Sequence, residues 1–144
     1  MIVRQKDTYD GAQPSGNALI CMSLLYLGHV FDNTKWLHQA EQMVLQMRKL
    51  VLQYPSSFSY WAQCFSWVSA NVVEIVAIGP TVHNALKQVL SKFQPYKILI
   101  FSTEEDLGLA CTKGKYSIDN QYYICMNKTC YPPKHILEDI LALI

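Results

Sequence analysis

Apolar and polar positions change rhythm along this chain, and each rhythm predicts an element. From Ala18 to Leu27 nearly every residue is apolar, so a helix here has no wet face and needs neighbours on several sides. Asp32 to Thr34 then offer capping side chains, after which Trp36, Ala40, Met43, Val44, Met47, Leu50 and Val51 recur at the helical period. Gln39, Gln42, Gln46 and Lys49 fall on the opposite side, which makes this an amphipathic helix, and Tyr54-Pro55 closes it. Ser56 to Ser59 can cap a third helix whose Trp61, Cys64, Phe65 and Val68 share one face.

Near Asn71 the pattern switches from helices alone to strands alternating with helices. Val72 to Ile78 is a β-branched run ending at Gly79-Pro80, Thr81 to Phe93 is amphipathic through Val82, Leu86, Val89 and Leu90, and Lys97 to Phe101 is again strand-like. Strand, helix, strand predicts a βαβ unit with parallel strands and a right-handed crossover. A loop from Ser102 to about Asn120 carries Glu104-Glu105-Asp106, Gly108 and Gly114, a third strand follows at Gln121 to Met126, and Pro132-Pro133 opens a last helix with Ile136, Leu137, Ile140 and Leu141 inward. The expected fold class is α/β: residues 1–71 form a helical segment packed on residues 72–144, a small three-stranded, mainly parallel sheet with flanking helices. No internal repeat or low-complexity linker interrupts it.

Composition narrows the partners. A formal net charge of +1 provides neither a basic stripe for nucleic acid nor a polybasic patch for a membrane surface. The longest apolar stretch is about half of what spans a bilayer, and the first twenty residues hold Arg4, Lys6, Asp7 and Asp10 in place of a secretory h-region. Five cysteines are an odd number set mostly in apolar patterns, which fits a reducing compartment, so cytoplasm is the expectation. Hydrophobic residues make up 51% of the chain and charged ones only 16%, more apolar material than a small monomer easily hides.

The run Tyr9-Asp10-Gly11-Ala12-Gln13-Pro14-Ser15-Gly16-Asn17 concentrates turn-forming residues. It resembles the Asp-Gly-Ala-Glu-Pro-Ser-Gly-Asn signature of the YyaL family, which includes spermatogenesis-associated protein 20. The resemblance continues through Leu24-Leu25-Tyr26-Leu27-Gly28, Val73 to Gly79, Tyr123-Ile124-Cys125 and Cys130-Tyr131-Pro132, in order and over nearly the whole chain. That family joins a thioredoxin-like domain to a helical (α/α) barrel similar to N-acylglucosamine 2-epimerases. Membership implies that residues 1–71 are the end of such a barrel and that this chain is the C-terminal portion of a larger protein, not an active enzyme by itself. Its expected partners are the remainder of the parent polypeptide or a second copy of itself; the alternative is that residues 72–144 are a protein-interaction or regulatory α/β module that docks a separate protein or the thioredoxin-like domain. The family's acidic residue after Ala is Gln13 here, so no acid or base role passes to that position.

Candidate chemistry is sparse. In a barrel of paired helices, the loop entering an inner helix can face the central cavity, where Asp10, Gln13, Ser15 and Asn17 would hydrogen-bond the hydroxyls of a carbohydrate. The structural alternative is a tight turn in which Ser15 or Asn17 only caps the helix that follows. Cys125 and Cys130, with four residues between them, can form a thiol-disulfide pair, or hold a metal with His83 or His135. Their spacing matches neither a Cys-x-x-Cys motif nor a closed zinc site, so no metal and no cofactor is expected. Gly79 lies at a strand end where α/β folds bind ligands, but it is a lone glycine without a phosphate-loop pattern. The acidic run at Glu104 reads as a solvated loop.

Overall fold

The computed structural model describes residues 7–104, 108–115, 118–126, 128–135 and 137–138. The chain divides between Ala70 and Asn71 into two compact units, Met1–Ala70 and Asn71–Ile144.

The first unit packs three helices, α1 (Gly16–Val30), α2 (Thr34–Gln53) and α3 (Ser59–Ser69), around one core. Ser15 caps α1 by accepting from Ala18 N, and Asn33 caps α2 by accepting from Lys35 N and Trp36 N. The core forms where the periodic faces meet: Ala18, Cys21 and Leu25 of α1, Ala40, Val44, Met47 and Val51 of α2, and Trp61 and Cys64 of α3, with Phe58 beside them. Burying each large apolar side chain contributes about 1.5–3 kcal/mol against exposure, so this cluster holds the unit together. Gly28 lets α1 and α2 close up, since a Cβ there would lie 2.7 Å from Leu37 Cδ2. Only one side of α1 is covered within this unit. Leu19, Ile20, Tyr26 and Leu27 remain exposed, although the all-round apolar pattern anticipates neighbours there.

The start of α3 differs from the sequence expectation. No side chain of the preceding Ser56–Ser59 stretch caps it, and a short 3-10 turn at Pro55–Ser57 leads straight in. Its first-turn donors, Tyr60 N and Trp61 N, bind the carboxylate of Asp10, fifty residues earlier.

The second unit contains β1 (Val73–Ile78), α4 (His83–Ser91), β2 (Lys97–Ser102), β3 (Gln121–Met126) and the short β4 (Thr129–Cys130). The sheet has four strands in the order β2-β1-β3-β4. β1 and β2 are parallel, with Val73 beside Lys97 and Ile78 beside Ser102. β3 runs antiparallel to β1, pairing Val73 with Met126 and Ile78 with Gln121. The expected three-stranded, mainly parallel sheet is therefore corrected to a four-stranded mixed one. The reason lies in the connection: β2 ends level with β1, and among the described residues of the following loop no crossover helix carries the chain back to the start of the sheet. A strand that begins at the end where its neighbours finish can only run the other way.

β1 is central and mostly buried, which accounts for its β-branched run without alternation. Ile75 and Ala77 pack with Val82, Ala85 and Val89 near and on α4 and with Tyr122 and Ile124 of β3. Between the Cys125–Cys130 and Tyr122–Lys134 pairs, three steps on β3 face four on the returning chain, so one residue is extra. Pro132 and Pro133 fall in that step, where an imino nitrogen has no ladder bond to give. Of the expected last helix, Leu137 is half-buried against the sheet core, whereas Ile136, Ile140 and Leu141 lie outside the described residues. No helix among the described residues is long and apolar enough to cross a membrane.

Candidate functional site

Two places bring polar chemistry together, one in each unit. In the helical unit, the loop before α1 is built around Asp10, which is only 3% exposed. Its Oδ1 accepts from Ser15 N at 2.9 Å, and its Oδ2 accepts from Tyr60 N at 2.9 Å and Trp61 N at 3.1 Å. A carboxylate at a helix N-terminus meets both the free N–H groups and the positive end of the helix dipole. Two further bonds stitch the same segment to α3 and to the turn before it: Trp61 Nε1 donates to Thr8 O, and Asp10 N donates to Ser57 O.

The four loop residues singled out for carbohydrate binding thus have different settings. Asp10 and Ser15 are buried, the first bracing α3 and the second capping α1. Asn17 is half-buried and donates its Nδ2 to Asp7 O at 2.6 Å, while Gln13 is exposed. The loop is a brace whose outer side offers Gln13 and Asn17.

In the α/β unit, Cys125 of β3 and Cys130 of β4 lie directly opposite one another and form a disulfide, with their Cα atoms 3.9 Å apart. The two sulfurs differ in access: Cys125 is 1% exposed and Cys130 is exposed. Lys115, which follows a turn closed by Lys115 N donating to Thr112 O, places its Nζ 3.2 Å from Cys130 Sγ and 3.9 Å from Cys125 Sγ. The same ammonium stands 4.6 Å from the centroid of the Tyr123 ring, a cation–π contact that fixes it over the strand. Desolvation draws the Lys115 pKa below its usual value, against opposing pulls from Cys111 and Glu74. Burial pushes the Tyr123 phenol up, and its hydroxyl donates to Gln121 Oε1. The sequence reading identified Cys125 and Cys130 but missed Lys115, whose side chain arrives from a loop fifteen residues before Cys130. Nothing in the local pattern marks that approach.

His83 opens α4 and His135 follows the Lys134 bridge, and among the described residues no group of three or more His, Cys, Asp or Glu side chains converges as a metal site. At the end of β1, Gly79 adopts φ +143°, and a Cβ there would come within 2.7 Å of Asn120 Cα. Asn120 then bonds the turn on both sides, accepting from Thr81 N and donating to Thr81 Oγ1, so protein atoms fill the space above the turn. Glu104 N donates to Ser102 Oγ in a local turn, while Glu105 and Asp106 lie outside the described residues. No family model, curated protein or solved structure matches this chain.

Proposed function

We propose that the helical unit is a non-catalytic wall segment of a larger (α/α) barrel of the YyaL kind, docking further helices across the outer face of α1. The observation that supports this is the composition of that face. Leu19 and Tyr26 flank one side and Ile20 and Leu27 the other, Ile20 being 55% exposed. Ser23 lies between them with its hydroxyl turned back onto Leu19 O, so the face has almost no polar demand for water. A helix apolar on every side is ordinarily enclosed by protein. The occupant is the remainder of the parent polypeptide, or a second copy of the chain where that remainder is missing. In such a barrel the loop before α1 would present Gln13 and Asn17 to a carbohydrate-type cavity, with Asp10 and Ser15 holding its shape. A reducing, cytoplasmic setting suits the buried thiols Cys21 and Cys64.

Light scattering on the isolated chain tests the docking face. Concentration-dependent self-association is the expected result, abolished by Ile20→Lys together with Leu27→Glu at unchanged helical circular dichroism; a monomer at every concentration would remove the proposal. For the loop, titration of mono- and disaccharides against the full-length parent should weaken in Gln13→Ala and Asn17→Ala. Binding that ignores both changes would confine the loop to bracing.

A further inference from the structure

We infer that Cys125, Cys130 and Lys115 form a thiol–disulfide exchange site for an external thiol, with Cys130 as the sulfur attacked and Lys115 as the cation that steadies the displaced thiolate. Three features converge on this. The sulfurs are unequal, one open on a two-residue edge strand and one sealed in the sheet. A lysine ammonium lies within reach of both, where sulfur in a purely structural bridge needs no cation. That ammonium is held over the Tyr123 ring and partly desolvated.

The exchange balances without any other reagent. An external thiolate attacks Cys130 Sγ, the Cys125–Cys130 bond breaks, and its electron pair leaves on Cys125 Sγ beside the Lys115 ammonium. A second external thiolate attacks the mixed disulfide at the sulfur of the first, releasing Cys130 as a thiolate next to Lys115. The external thiols leave as their own disulfide, two electrons having passed to the cysteine pair, and both thiolates take up protons from solvent as the pH requires. In reverse, the same steps oxidise the pair. Displacement is fast where the leaving sulfur is a stabilised anion, which is the service a neighbouring cation provides. The small loop enclosed by the bridge gives little chain-entropy reason to keep it closed.

The experiment uses the intact chain, oxidised, with reduced glutathione as one probe and an extended peptide bearing one cysteine as the other. Reduction in native buffer is followed by alkylation and peptide mapping. Exchange with either probe supports the site, and the faster probe names its source, a small thiol or a protein thiol. With oxidised glutathione as the probe, the Cys130 thiolate of Cys125→Ala should take up one glutathionyl sulfur and release the other as reduced glutathione, whereas the sealed Cys125 of Cys130→Ala should take up none. Lys115→Met should slow exchange about tenfold, and Lys115→Arg should restore it, because the rate follows the stability of the thiolate formed. A pair that resists both probes until the protein unfolds would overturn the inference. So would exchange that Lys115→Met leaves unchanged, which would reduce the lysine to packing.

Discussion

Replacing Asp10 by alanine removes the acceptor of three backbone N–H groups, Ser15 N, Tyr60 N and Trp61 N. Hydrogen bonds to a charged group each contribute about 1.5–3 kcal/mol net, and an N-terminal cap by itself about 1 kcal/mol. The three share one side chain and water can partly refill the loop, so the bonds do not add in full; about 3–5 kcal/mol is the expected loss. A unit of this size has a total stability of roughly 4–10 kcal/mol at typical per-residue values, so the variant forfeits a large part of it. Asp10→Asn should lose less, about 2–3 kcal/mol, because one carbonyl oxygen still accepts while its NH2 group confronts a donor. The assay is built into the molecule: the chain has three tryptophans, Trp36, Trp61 and Trp67, and all belong to the helical unit. Urea unfolding followed by tryptophan fluorescence therefore reports this unit alone. The expected order of stability is parent, then Asn, then Ala. A change below about 1 kcal/mol in Asp10→Ala would refute the bracing argument, since a buried polar loss of this kind cannot be that cheap. It also follows that Asp10→Ala is a poor probe of ligand binding, because a loss of binding would reflect the loss of the loop.

In the α/β unit, Gly79→Ala should cost about 2–4 kcal/mol, since it combines a left-handed φ with a clash against the Asn120 backbone; faster hydrogen exchange at the β1 amides checks it, and unchanged protection would contradict it. The helical unit should lose stability as pH rises above 9.0, the unfolded value of the Cys64 thiol. The neighbouring Cys21, and burial after it, raise the Cys64 pKa in the folded state, while the same contact lowers Cys21, whose gain in stability on ionising is complete by that pH; the Cys64 share is complete below it and fades above it as the unfolded chain ionises. Urea melts by tryptophan fluorescence at about pH 8 and about pH 10 should show the fall, and Cys64→Ala should flatten it.

Much of the fold was legible because its signals are local. The periodic faces of α2 and α3, the β-branched core of β1 and the turn at Gly79-Pro80 each follow from spacing within a few residues, and the structure places elements there. Ser15 as a cap was legible for the same reason. Which of the loop's polar residues stay accessible was not, because the burial of Asp10 depends on a helix that begins fifty residues later.

What the sequence by itself determined is therefore α1 to α4 and β1 to β3, their periodic faces and the excess of apolar surface on α1. Tertiary structure alone decided the antiparallel direction of β3, the added strand at Thr129–Cys130, the cap that Asp10 provides to α3 and the arrival of Lys115 at the cysteine pair. The physical reason is one of range. Helix and strand propensities act over neighbouring residues, whereas strand direction, distant caps and converging side chains depend on contacts between segments far apart in the chain, which leave no period to read.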